Sequence, residues 1–274
     1  MIRENSISYS FDAVYRKTQN EITDTFHIKR IFQIEKIREV LKGSFYDPKL
    51  KMNFESDEIL SRDYEIETED IVVEFGEIYK KIEDFYRRIN YRYDWFILQT
   101  GINGKAESVL NTYELRENWK DLSSLLRDDY IGERVKIYLD DIDADFGKDS
   151  HFLSLLDQYF YFGLLFPPIP YKHLQTWHSE REVIVWETRC IGLKEILEFV
   201  VKEDDIRKYK ISGELLPGYP VTLDKYEGDI SYSSADKMVR NAQLNLVYTN
   251  SGTNEWTFDL KRIREKDDKI KLDV

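Results

Sequence analysis

The chain has 274 residues, 42% hydrophobic and 14% aromatic, enough apolar surface to bury a substantial core in one large domain or two ordinary ones. Forty Lys and Arg stand against 52 Asp and Glu, and this net charge of −12, with no basic patch along the sequence, excludes nucleic acid as an expected direct partner. The single cysteine, Cys190, excludes an intrachain disulfide and a thiolate metal cluster, so the fold is expected to hold by packing, with no cofactor and no metal.

At the start, Met1 to Ser6 shows no apolar stretch behind a basic end, which predicts no secretory signal and synthesis in a cytoplasm. Ile31, Ile34, Ile37 and Leu41 fall on one side of a helix over 28–41, with Gly43 suited to its C-terminus. Asn53 to Asp70 is acidic and reads as a solvated connection in which Tyr64, Ile66 and Thr68 can make a short edge strand. From Ile71, the apolar positions Phe75, Ile78, Ile82, Phe85 and Ile89 recur at spacings of four and three and mark the strongest helix, widened by Val72, Tyr79 and Tyr86. Thr68 is placed to cap it, with Glu69 and Asp70 in the first turn. Tyr86, Tyr91, Tyr93, Trp95 and Phe96 then form an aromatic cluster fit for a core or for an interface.

A third helix is expected through Leu115, Trp119, Leu122 and Leu126, a strand through Val135, Ile137 and Leu139, and another helix through Phe152, Leu155, Leu156, Tyr159 and Phe160. The most apolar run, Tyr159 to Phe166, stops at Pro167-Pro168, short of the roughly 20 residues a bilayer span needs, so no membrane insertion is expected. Pro167 to Pro170 removes amide donors and forces extended backbone. The expected class is therefore α+β: a helix-rich part over 1–170 and an antiparallel β-rich part over 171–274.

In that second part, Ala242, Leu244, Leu246 and Tyr248 alternate with polar or mixed neighbours, the period of a half-buried strand. Asn250 to Asn254 supplies a turn, and Trp256, Phe258 and Leu260 resume the alternation, completing a predicted hairpin. Turns at Pro217-Gly218 and Glu227-Gly228 are expected on either side of an extended run with Val221 and Leu223, and Ile230 with Tyr232 begins another.

Chemical motifs are few. Asp141, Asp143 and Asp145 have calcium-loop spacing, but Phe146 and Phe152 occupy the positions that need Gly and a bidentate Glu, which excludes an EF-hand. Glu187-Thr188-Arg189 has Arg where a metal-dependent nuclease needs a Lys that can be deprotonated. Histidines at 27, 151, 173 and 178 make no paired-His motif, and Cys190 reads as a buried small hydrophobe. His178-x-Glu180-x-Glu182, heading a Val-Ile-Val strand, resembles the paired-glutamate element of ADP-ribosyltransferases, which implies one carboxylate on a nicotinamide ribose and a neighbour directing the acceptor. The plainer reading makes Glu180 and Glu182 the exposed face of a one-sided strand.

Within residues 213–264, Gly228-Asp229-Ile230-Ser231-Tyr232-Ser233-Ser234, then Val239-Arg240-Asn241-Ala242 and Leu244 to Tyr248, resembles the opening β-module of bacteriophage tail and baseplate hub proteins. Arg240 stands alone where that module often doubles its Arg. The resemblance implies a structural component of a phage tail or related contractile injection apparatus, whose partners are copies of itself and neighbouring assembly proteins. An ADP-ribosyltransferase-like enzyme centred on Glu180 and Glu182, or a regulatory or immunity protein masking another protein, are the alternatives.

Overall fold

A computed structural model describes residues 6–41, 45–47, 52–54, 59–75, 95–101, 106–111, 113, 114, 117, 176–185 and 189–263. They form thirteen strands: β1 (Ile7–Gln19), β2 (Ile22–Leu41), β3 (Phe45–Asp47), β4 (Met52–Phe54), β5 (Ile59–Phe75), β6 (Trp95–Gly101), β7 (Ala106–Val109), β8 (Thr176–Val185), β9 (Arg189–Glu203), β10 (Ile206–Leu215), β11 (Thr222–Ser233), β12 (Val239–Thr249) and β13 (Thr253–Arg262). Eleven of them make one antiparallel sheet in the order β7-β6-β5-β2-β1-β13-β12-β11-β10-β9-β8, while β3 and β4 pair separately. Strands β8 to β13 follow one another as a meander, and β13 then pairs with β1 at the middle of the sheet, Phe11 opposite Leu260 and Tyr15 opposite Trp256.

This architecture corrects the expected α+β class. The segment over 28–41, read as a helix, is part of the 20-residue strand β2. Its real period is two: Phe26, Ile28, Arg30, Phe32 and Ile34 are buried, whereas Ile37, a member of the supposed helical stripe, is half exposed. Isoleucines on both faces of a long strand satisfy a 3.6-residue template by coincidence, and β-branched side chains favour the pleated conformation. The strongest expected helix fares likewise where it is described, since Thr68 to Phe75 completes β5. Strand β5 also replaces the expected solvated connection, and it lies between β2 and β6 and is no edge. Helical backbone among the described residues is confined to Tyr113, Glu114 and Glu117. The remainder of the 71–89 segment, the strand at 135–139, the helix at 152–160, the Pro167 to Pro170 run and the acidic triplet at 141–145 lie outside the described residues.

One face of the sheet is apolar across its centre. Tyr9, Phe11, Ala13 and Tyr15 of β1 adjoin Phe26, Ile28, Phe32 and Ile34 of β2 on one side and Trp256, Phe258 and Leu260 of β13 on the other, and β12 adds Ala242, Leu244, Leu246 and Tyr248. The expected alternation and hairpin of the 242–260 stretch are what the structure forms. Aromatic rings fill the centre: Trp256 stacks on Phe258 at 5.4 Å and lies 4.6 Å from Tyr15, and Phe11 meets Phe32 edge-on at 5.8 Å. Such pairs add about 1 kcal/mol each beyond the area they bury.

The sheet curls around this face. Arg62 on β5 hydrogen bonds the Tyr232 hydroxyl on β11, although β2, β1, β13 and β12 lie between those strands. A flat sheet would hold them roughly 24 Å apart, five spacings of about 4.8 Å. The strong right-handed twist of long antiparallel strands supplies the curvature.

Candidate functional site

Among the described residues the sheet has two outer strands, β7 of 4 residues and β8 of 10. Strand β8 pairs with β9 in unbroken register, Thr176 opposite Glu198, His178 opposite Ile196, Glu180 opposite Lys194 and Glu182 opposite Gly192. Thr176, His178 and Glu180 are exposed. The odd positions of β8 register with Leu197, Glu195, Leu193 and Ile191, the buried face of β9, so the even positions share the opposite face. The sequence TWHSEREVIV contains no Pro and its register no bulge, but Glu180, Arg181 and Glu182 put charge along this edge, so a strand that pairs with it must match that charge.

Exposed Glu180 and the position of Glu182 therefore lie about 6.6 Å apart along a strand that is outermost among the described residues. This is the setting of the plainer sequence reading. Behind the edge, buried Glu195 accepts a hydrogen bond from the Tyr226 hydroxyl, and the loop between β10 and β11 folds over Gly192, where the Leu216 amide donates to its carbonyl at 2.8 Å. Tyr219 lies so close that a Cβ at position 192 would come within 2.7 Å of its ring carbon Cζ. Cys190, at the start of β9, stands opposite Ile184.

A second polar group surrounds the turn between β11 and β12 and contains the residues that carry the hub-module resemblance. The Asp236 carboxylate accepts from the Arg262 guanidinium of β13 and from the Met238 amide at 3.1 Å. Arg240 places Nη2 3.6 Å from Asp205 and 4.0 Å from Asp236. The Ser233 hydroxyl donates to Asp205 at 3.1 Å, and the Ser234 amide donates to the Asp205 carbonyl at 2.7 Å. From β1, the Tyr9 hydroxyl donates to the Val239 carbonyl at 2.7 Å. Lys237 completes the turn with a φ of 59°. Asp236 would be raised by burial, but the Arg262 hydrogen bond and charge outweigh this and hold its carboxyl below the usual range.

These contacts tie β1, β13 and the turn between β9 and β10 to the turn between β11 and β12. The Ser-Ser pair and Arg240 act there as anchors of a folded hairpin, and no three His, Cys, Asp or Glu side chains converge as a metal site among the described residues. Asp205, Asp236, Arg62 and Arg262 escaped the sequence reading. Only Asp236, two residues before the amide it accepts from, left a local signal, that of an Asx turn.

No family model matches the chain. No curated protein matches it either. Among solved structures, lipovitellin, in a structure concerned with its lipid–protein interactions, aligns with 94% of this chain at 7% identity and a TM-score of 0.43, the chain spanning 25% of that one. Chicken CD1-1 aligns with 89% of this chain and 95% of its own at 9% identity, with a TM-score of 0.10. No helix of the described residues is long and apolar enough to cross a membrane.

Burial on the core face pushes the Tyr232 hydroxyl up to about 12, against the lowering effect of Arg62, and burial drives Tyr9 in the same direction. A phenol whose folded pKa exceeds its unfolded value near 10 contributes stability that is complete below pH 10 and is lost as the pH rises towards 12. Urea unfolding should therefore show a loss of about 1 kcal/mol from Tyr232 between pH 8 and 11. The Tyr232→Phe variant should lose correspondingly less over that interval, and equal slopes for the two proteins would contradict the assignment.

Proposed function

We propose that this protein is a structural subunit that works by protein–protein assembly, within a phage tail or related injection apparatus. The observation that carries the reading is the β8 edge: ten residues of regular strand, exposed at Thr176, His178 and Glu180, with no strand on its outer side among the described residues. An outer strand offers a row of backbone donors and acceptors to another chain, which is the physical basis of strand addition. The curled sheet behind it, fixed by the Arg62–Tyr232 and Asp236–Arg262 contacts, supplies the rigidity a building block needs. The hub-module resemblance of residues 228–248 supports the tail setting.

Co-expression with the proteins encoded beside it, followed by electron microscopy of the purified material, tests the reading. A ring or tube containing this chain in fixed stoichiometry is expected. Transfer of label from NAD to a protein by the isolated chain, abolished by Glu180→Gln, would overturn assembly in favour of the ADP-ribosyltransferase alternative.

A further inference from the structure

We infer that β8 pairs with β8 of a second copy of this chain, antiparallel and centred on Ser179, joining two sheets through a two-fold axis. The inference rests on the assembly reading of the same edge and names its partner.

Symmetry limits the registers. A two-fold axis normal to the sheet preserves its faces, and directly opposed residues of antiparallel strands share a face, so the axis must run midway between one residue of β8 and the same residue of the other copy. With the two Ser179 residues opposed across the axis, His178 of each copy faces Glu180 of the other, and the pairing occurs twice. An imidazole N–H then meets a carboxylate at a cross-strand separation of about 5 Å between Cβ atoms, within side-chain reach. Moving the axis one residue towards the C-terminus pairs His178 with Glu182 but sets Glu180 opposite itself, two carboxylates in direct conflict. Moving it one residue the other way sets His178 opposite itself and leaves both glutamates without the imidazole. The Ser179 register also brings Trp177 opposite Arg181, and Thr176 opposite Glu182.

Among the described residues no strand lies on the outer side of β8. His178 and Glu180 are exposed, and their neighbours across β9 are Ile196 and Lys194, with Glu198 one pair further on. Lys194 balances Glu180 within its own sheet without covering it. The unbroken β8–β9 register keeps the strand regular over its 10 residues, which a bulge would prevent. The other outer strand, β7, has 4 residues and a register shift against β6, the short irregular form that discourages pairing. The chain's charge of −12 disfavours indiscriminate self-association, so a copy docks where opposite partners are matched, as His178 and Glu180 are.

Sedimentation velocity on the full chain, from about 1 to 100 μM, reads the dimer directly. His178→Glu puts two carboxylates face to face at both symmetric positions and should raise the dissociation constant about tenfold or more. Adding Glu180→Lys to that variant sets the introduced glutamate against the introduced lysine and should restore dimerisation. Circular dichroism and thermal melting of each variant, both sites being exposed, check that the fold is retained. A wild-type chain that stays monomeric across the range overturns the inference, as does a dimer indifferent to His178→Glu. A double variant that fails to recover overturns the Ser179 register. A monomer that still enters the co-expressed assembly removes the self-pairing alone and leaves the assembly reading standing.

Discussion

Trp256→Ala is expected to lower the unfolding free energy by about 3–5 kcal/mol, measured by urea denaturation at neutral pH. Trp256 is 8% exposed and occupies the crossing of three rings: it stacks on Phe258 at 5.4 Å, tilts against Tyr15 at 4.6 Å and meets Phe26 edge-on at 6.4 Å. In the ladder it faces Tyr15 of β1 and Leu246 of β12, so the same indole seals the junction between the first strand of the chain and its last described strands. Truncation removes apolar contact from all of these at once and leaves a void that strands held on both sides cannot close. A loss below about 1 kcal/mol would show that the ring lies outside the load of the core. Trp256→Phe, which keeps an aromatic ring against Tyr15 and Phe258, should recover more than half of the loss.

The same junction shows how much of the fold the sequence discloses. Between Ala242 and Leu260 each strand has one apolar and one polar face, so the period of two is unmistakable and the hairpin is legible from local residues alone. Strand β2 hides itself for a physical reason. Its buried set, Phe26 to Ile34, is overlaid by Ile31 and Ile37 on the other face, and 20 residues exceed the usual strand length, so a helical period fits as well. Further along, Ile71, Val72 and Val73 are β-branched neighbours in β5, a composition that outranked the spacing used to assign a helix. Residue type outweighs spacing in both places: 28–41 is strand, and so is 71–75, the described part of the second segment.

The candidate site was legible only in part. His178, Glu180 and Glu182 stand out in the sequence as a chemical pattern, but that they lie on the outermost strand follows from strand order, which no local window encodes. The closure of β13 onto β1 is equally hidden, since Tyr9 stands opposite Arg262 near the two ends of the described chain, and Tyr9 also reaches Val239 of β12 across 230 residues of sequence. The Asp236–Arg262 pair spans 26 residues and crosses from a turn to a strand, so neither periodicity nor a motif template reaches it. Gly228 is the intermediate case: the turn expected at Glu227-Gly228 is instead the middle of β11, and the close approach of β12 is the reason only glycine fits there.

Gly228→Val should destabilise the protein by about 3 kcal/mol, near the upper end of the range for overpacking a core. Gly228 sits in β11 directly opposite Leu244 of β12. A Cβ there would lie 3.0 Å from the Leu244 Cα and 3.1 Å from the Gln243 carbonyl carbon, and closer still to the Gln243 oxygen. All three are backbone atoms of the neighbouring strand, so no rotamer change relieves the clash and the β11–β12 ladder must spread. Spreading reaches Tyr226 and Ile230 on either side of the glycine, and through Ile230 the stretch of β11 that ends in Tyr232 and Ser233. The variant should therefore lose the alkaline sensitivity assigned to Tyr232 as well as global stability, because the hydroxyl held by Arg62 would open to water. A Gly228→Val protein with wild-type stability would mean that the close approach of the two strands is not a constraint on this position.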